Sequence, residues 1–305
     1  MRRWIPLAAA AALVASTPAA AVPALARPVL VQAGGPVVAQ SGGSVLVQSG
    51  GSDPVRAVGR QLRHERGVRV SETTRFYYGG QSTVSGSGTR ISGKLQLAPS
   101  GPVAADFTWR DLRRPPSYRV IRVGKDVYDD SDQHPGPVPE GKKWIKFPNH
   151  HRGLANRDMA QDVSLQPIDV YDPAMLRAVL KRSTATAVPG GRLYRGAMSY
   201  RDLRKLTKGP LVAWTSGRPI TAKSKGTVSW RLWTGRDGLL TRLYTADTAG
   251  GGTDPLVKRS DTRYRDWGFR LVITAPPADE VIDEKTLLEY IRAENEPIPE
   301  DEGNT

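Results

Sequence analysis

From residue 53 onward the apolar positions repeat with two different periods. Asp53-Pro54 sets an N-cap residue before a proline at the first helical position, and Val55, Val58 and Leu62 then share one helical face that Gly67 closes. The period next drops to two. Val68–Tyr78 is rich in β-branched and aromatic residues, and Ile91–Leu97, Ala105–Arg110 and Arg119–Val123 alternate apolar or small with polar residues, which predicts antiparallel strands buried on one side and wet on the other. Gly124-Lys125-Asp126 reads as a tight turn into Val127-Tyr128, residues 129–143 as an exposed loop, and Trp144–Phe147 as a short apolar run. Helical spacing returns at Asp172-Pro173, followed by Met175, Leu176, Val179 and Leu180, and more weakly at Tyr200–Leu206. Between them Pro189-Gly190-Gly191 turns into the strand Leu193–Met198. Val228–Trp233 and Leu239–Thr245 flank Arg236-Asp237-Gly238, a hairpin signal. Thr262–Ala275 reads as one long strand stopped by Pro276-Pro277, and Asp283 caps a last helix through Leu287, Leu288 and Ile291.

One helix, a run of strands, helices, then more strands describe an α+β plan. The expectation is a single strongly curved antiparallel sheet with helices segregated to one face, formed by one domain over 53–294. Its flanks differ in kind. Arg2 and Arg3, the apolar Ile5–Val14 and the small residues Ala24-Leu25-Ala26 make 1–26 a cleavable secretory signal. Residues 27–52 repeat Val-Leu-Val-Gln with Gly-Gly breaks at a period of eight, as in Val29–Gln32 and Val45–Gln48, and read as a spacer. Residues 295–305 form an acidic, disordered tail.

Composition narrows the chemistry. The 305 residues hold no cysteine, which removes disulfides, cysteine-ligated metals, thiol catalysis and a lipid anchor on cysteine. Four histidines leave little for metal or proton-transfer work, and His150-His151 reads as a surface pair. Gly88-Thr89-Arg90-Ile91-Ser92-Gly93-Lys94 has the spacing of a phosphate loop, but Leu95 stands where a hydroxyl should follow, and the segment alternates like a strand. Asp129, Asp130 and Asp132 lack the glycine and distal glutamate of a calcium loop. No catalytic motif emerges, so the expectation is a protein that is not an enzyme and takes no cofactor or metal. The formal net charge is +14, although residues 279–305 carry ten acids against two bases. A basic body of this kind suits an anionic partner, with simple solubility as the plain alternative.

Six tryptophans follow the signal, at 109, 144, 214, 230, 233 and 267. Core packing accounts for them, and so does an apolar cavity under a curved sheet. The second half of the chain adds Asp172-Pro173-Ala174-Met175-Leu176, Tyr194-Arg195-Gly196, Trp230-Arg231-Leu232-Trp233 before Arg236-Asp237-Gly238-Leu239, and Tyr264–Phe269 running into Val272–Pro277. In these segments it resembles the actinobacterial LppX/LprG-type envelope proteins, which share a fold with LolA and RseB, over roughly residues 53–280. That resemblance implies a half-barrel with helices across its concave side, holding acyl chains of lipids or glycolipids, with no enzyme site. It departs from those relatives in lacking the lipobox cysteine.

The leading expectation is therefore a secreted or envelope-associated, monomeric carrier for a lipid-like apolar ligand. Strand parity points to Leu95, Leu97, Phe107, Trp109, Ile121, Trp230, Leu232, Leu271 and Ile273 as the cavity lining. The same parity describes a packed core. The alternative is an envelope interaction or sensor module that binds a protein or anionic polymer, though not intracellular nucleic acid, through its basic exterior. Arg90, Lys94, Arg110, Arg119, Arg231, Arg242, Arg263 and Arg265 would carry that role. A secreted hydrolase with an unrecognised site is a third class.

Overall fold

The computed structural model describes residues 52–77, 87–113, 117–134, 136–148, 164–207, 220–250 and 255–295. The expected signal over 1–26, nearly all of the spacer over 27–52, His150-His151, Trp214 and the tail from 296 lie outside the described residues.

The chain opens with helix α1 (Pro54–Gln61), where the Asp53 carboxylate accepts the Val55 N–H at 3.0 Å, as the Asp-Pro pair requires. Five further antiparallel strands then meander away from β1 (Arg66–Tyr77): β2 (Gly88–Ala98), β3 (Gly101–Asp111), β4 (Ser117–Val123), β5 (Asp126–Asp130) and β6 (Trp144–Pro148). Helix α2 (Pro173–Lys181) repeats the start of α1, with Asp172 accepting from the Ala174 N–H at 2.9 Å. A second meander begins at β7 (Thr184–Val188) and β8 (Gly191–Ser199). It continues past α3 (Tyr200–Leu206) through β9 (Gly226–Gly235), β10 (Leu240–Ala249) and β11 (Leu256–Arg270). Strand β11 closes against β1, so the first and last long strands lie side by side at the centre. The short β12 (Val281–Asp283) adds in parallel to β6, and α4 (Glu284–Glu294) follows it.

Among the described residues the result is mixed α+β: one mostly antiparallel sheet of twelve strands in the open order β12-β6-β5-β4-β3-β2-β1-β11-β10-β9-β8-β7, with four helices. The hairpin expected at Arg236-Asp237-Gly238 joins β9 to β10. Gly238 takes φ +80°, a left-handed value that favours glycine, and the Asp237 carboxylate accepts the Leu239 N–H at 3.0 Å.

Both ends of the last long strand differ from the sequence reading. The last long strand starts earlier, at Leu256, and its ladder ends at Arg270 instead of Ala275. Asp266 and Gly268 both take left-handed φ values, 53° and 85°, which turn the chain out of register. Beyond them Leu271 and Ile273 are held singly: the Leu271 N–H donates to the Glu65 carbonyl, and the Ile273 N–H to the Gln96 side chain. Strand β7 was not visible to periodicity, because Thr-Ala-Thr-Ala at a sheet edge is exposed on both faces.

Register assigns the two faces. Tyr264, Val70, Gly93, Phe107, Val120, Asp129 and Ile145 line up across the strands on one face, here called inner. Val55 and Val58 of α1, Met175, Leu176 and Val179 of α2, and Leu203 of α3 pack there against Val68, Leu95, Leu97, Leu232 and Leu243. At the other end α4 sets Leu287 against Ile145 and Ile282 on the same face. Burying these side chains is the main source of stability.

Candidate functional site: a filled inner face and an arginine-lined outer face

Six of the nine residues expected to line a cavity lie on the inner face, and they are packed there. Leu95, Leu97, Phe107, Trp230 and Leu232 are each at most 3% exposed and belong to the cluster that α1, α2 and α3 complete. Trp230 has a specific task. Its ring occupies the space where Gly196 of the neighbouring strand lacks a side chain, since a Cβ there would stand 2.4 Å from the ring, and its indole N–H donates to Ser183 Oγ at 2.9 Å, just beyond α2. Trp109 is partly buried at the margin and stacks on Tyr118 at 6.4 Å. Ile121 is brought to the other face: it pairs in register with Asp106 and Tyr128, while its neighbour Val120 faces inward. Leu271 and Ile273 lie beyond the end of β11, partly buried.

The centre of the inner face is polar, which the sequence reading did not anticipate. Glu72, Thr74, Thr245, Asp247, Lys258, Ser260 and Thr262 are all buried. The Glu72 carboxylate accepts from the Leu165 N–H at 2.7 Å, from Thr262 Oγ1 at 2.7 Å and from Ser164 Oγ. Gln166 donates to Thr262 Oγ1 and the Leu243 carbonyl and accepts from Thr245. Lys258 donates to the Leu165 carbonyl at 2.9 Å and lies 3.5 Å from Asp247, which in turn accepts from the Tyr200 hydroxyl. These bonds anchor the segment Ser164–Gln166 to the sheet, so the polar atoms are satisfied by protein.

The outer face has the opposite character. A trough of about 520 Å³ crosses β2, β1, β11 and β10 and is lined by Ser71, Thr73, Arg75, Tyr77, Arg90, Tyr244, Arg259, Asp261, Arg263 and Arg265. Strand pairing builds it: Arg75 stands opposite Arg259, Ser71 opposite Arg263, and Thr73 between Arg90 and Asp261. Cross-strand neighbours lie ~5 Å apart and alternate residues on one strand ~7 Å apart, so the cations form a closely spaced array. Arg75, Arg90, Arg259, Arg263 and Arg265 are exposed, and none has a carboxylate within ion-pair distance among the described residues.

Other arginines on this face are neutralised. Arg242 grips Asp261 through two bonds, at 2.8 and 2.6 Å, and the carboxylate pushes its pKa further up. Arg119 binds Asp106 in the same two-pronged way at 2.8 and 3.0 Å, with Lys94 3.4 Å from the same carboxylate. The hydrogen bond from Arg119, helped by both positive charges, holds the Asp106 carboxyl below its usual range. Aromatic rings set several guanidinium planes: Arg259 over Tyr77 at 4.3 Å, Arg242 over Trp233 at 4.8 Å and Arg119 over Trp144 at 5.7 Å.

Of the basic residues proposed from sequence, Arg90, Arg263 and Arg265 line this trough. Arg242 sits at its edge, paired to Asp261. Arg110 and Arg231 share its cross-strand row, and Lys94 and Arg119 are tied to Asp106. Arg75 and Arg259 were missed. The signal for Arg75 was present, because it shares parity with Ser71 and Thr73 opposite Val68 and Val70. Arg259 lies upstream of Thr262, where the sequence pattern places the start of that strand. Among the described residues no three acidic, histidine or cysteine side chains converge as a metal site would need, and no helix is long and apolar enough to cross a membrane.

No family model matches the chain, and no curated protein matches it. Its structure is weakly similar to a DUF1329 family protein from Desulfovibrio piger, with 12% identity and a TM-score of 0.25 over 77% of this chain and 100% of that one. The Pseudomonas aeruginosa MucA/MucB complex matches at 11% identity and a TM-score of 0.21, over 70% of this chain and 93% of the other. A domain from Vibrio parahaemolyticus assigned to outer membrane lipoprotein sorting matches at 8% and 0.18, over 70% and 89%. At these TM-scores the likenesses fix neither family nor role, and none of the three is an LppX- or LprG-type protein.

Proposed function

We propose that this protein is a non-enzymatic binding module of the cell envelope that holds an extended anionic polymer against its arginine-lined outer face. One observation carries the reading: five exposed arginines with no carboxylate partner among the described residues line a single trough at the centre of the sheet. Guanidinium groups recognise phosphate and carboxylate oxygens through paired N–H donors, and ring stacking of the kind made by Arg259 on Tyr77 reduces the freedom lost on binding. The envelope setting is supported by the signal-like pattern of residues 1–26.

An acyl-chain carrier takes second place. Its half-barrel would need the inner face to hold ligand, whereas the leucines and Trp230 assigned to that role pack against α1 to α3. Retention on immobilised polyphosphate tests the choice. The native protein should be retained at low salt, and Arg75→Ser with Arg263→Ser should elute much earlier. Equal retention of both proteins would reject the outer face as the binding surface.

A further inference from the structure

The cationic surface of the outer face extends past the trough, and strand register gives it a direction. Arg110 of β3 stands opposite Arg90 of β2, which stands opposite Thr73 of β1. The same row continues through Asp261 of β11 to Tyr244 of β10, then to Arg231 of β9 and Arg195 of β8. It crosses seven neighbouring strands, from β3 to β8, a length of ~29 Å at ~4.8 Å per strand. Arg110, Arg90, Arg231 and Arg195 are all exposed, and none has a carboxylate within ion-pair distance among the described residues. Arg195 lies two strands beyond the trough, whose walls end on that side at Tyr244 of β10.

The middle of the row does not interrupt the charge. Asp261 is gripped by both prongs of Arg242, so the pair is neutral. Arg75 and Arg259 flank Thr73 and Asp261 on one side, two residues along, and Arg263 flanks them on the other. No path of equal length runs along the strands. Arg259, Arg263 and Arg265 of β11 cover only ~20 Å, and beside Arg265 the guanidinium of Arg69 lies 3.1 Å from Asp266. The next outer row is neutralised as well: Lys94 and Arg119 share Asp106, and Lys146 lies 3.0 Å from Asp126. Uncompensated charge therefore runs across the sheet. A linear polyanion laid along it meets arginines over its whole length and releases counterions at each contact, whereas a compact anion reaches only the few within the trough.

Granted the outer face as a polymer site, on which this rests, we propose that the polymer lies across the strands along the row from Arg110 to Arg195, so that the site selects linear polyanions over compact ones of similar charge. The probes are a linear polyphosphate about as long as the row, tripolyphosphate, which is too short to leave the trough, and inositol hexakisphosphate, which is highly charged but compact. Calorimetric titration of the full chain should show the linear chain binding at least tenfold more tightly than inositol hexakisphosphate. Arg110→Ser with Arg195→Ser, at the two ends of the row and outside the trough, should fold normally by circular dichroism, lose tenfold or more in affinity for the linear chain and keep the native affinity for tripolyphosphate. Arg201→Ser with Arg204→Ser removes the same charge from α3, which packs on the inner face, and should bind the linear chain like the native protein. Native affinity for the linear chain in the Arg110/Arg195 variant, an equal loss in the Arg201/Arg204 variant, or inositol hexakisphosphate bound as tightly as the linear chain would each overturn the proposal. In any of these cases a loss in Arg75→Ser with Arg263→Ser would still uphold the outer face as the site, whereas a native protein that binds none of the three anions would overturn both.

Discussion

Glu72 accepts the backbone N–H of Leu165 at 2.7 Å, joining residues 93 positions apart in the chain. The same carboxylate takes hydroxyls from Ser164 and Thr262, so one buried side chain on β1 fastens both β11 and the connection that leads into α2. Substituting it removes the acceptor and leaves its donors buried and unpaired. Glu72→Ala should cost about 3 kcal/mol in urea unfolding, since hydrogen bonds to charged groups contribute about 1.5–3 kcal/mol each and the orphaned donors add to the loss. A change below about 0.5 kcal/mol would show that the segment is held by something other than this carboxylate.

Asp129 gives the fold a pH dependence. It faces inward in register with Val120 and Ile145, and one of its oxygens is buried without a hydrogen-bond partner. Burial, and secondarily the charge of Asp130, pushes its pKa up to about 7 from an ordinary value of 3.8. The folded state therefore binds this proton more tightly than the unfolded state. The associated stability is present below about pH 4, is lost progressively as pH rises towards 7, and stays absent above it. Asp129→Asn should flatten that slope and raise stability at pH 8 by an amount up to about 4 kcal/mol, at 1.36 kcal/mol per pKa unit. Thermal melts from pH 4 to 8 read this directly, and an unchanged slope in the variant would remove Asp129 as the cause.

Gly196 and Trp230 make a tight pair whose disruption should be local and large. A Cβ at Gly196 would stand 2.4 Å from the Trp230 ring and 2.7 Å from the Arg182 carbonyl. Gly196→Ala should therefore displace the indole from Ser183 and destabilise the protein by roughly 1–3 kcal/mol, the usual range for overpacking. Tryptophan fluorescence during unfolding, compared with Trp230→Phe, would separate the displaced ring from a general loss of packing.

Much of the framework was legible because it rests on local rules. Asp53-Pro54, Asp172-Pro173 and Asp283 start helices where capping chemistry says they should, and Val68–Val70, Leu95 and Phe107 face inward as alternation requires. Long-range pairing was not legible. Nothing local states that β11 returns to β1, that a three-residue β12 adds in parallel beside β6, or that Asp266 and Gly268 end a ladder five residues early. Parity failed at Ile121, since Val120 and Ile121 are both buried, 6% and 5% exposed, and two adjacent apolar residues do not say which faces in. The polar centre of the inner face was hidden for a related reason: Glu72 and Thr74 look like a wet position until Ser164–Gln166 is known to cover them. The outer trough was half visible, because alternation gave the arginines one face but the pairing of β1 with β11 is what gathers them.

The most direct test of the outer-face reading is the salt dependence of binding to a fluorescently labelled polyphosphate chain, followed by anisotropy. Release of counterions makes log K fall linearly with log salt, with a slope set by the number of charges neutralised. The native protein should show a steep slope, and Arg75→Ser with Arg263→Ser should weaken binding and flatten the slope by about 2, one for each contact removed. An affinity indifferent to salt, or a double variant with the native slope, would contradict the assignment of this face as the site that holds an anionic polymer.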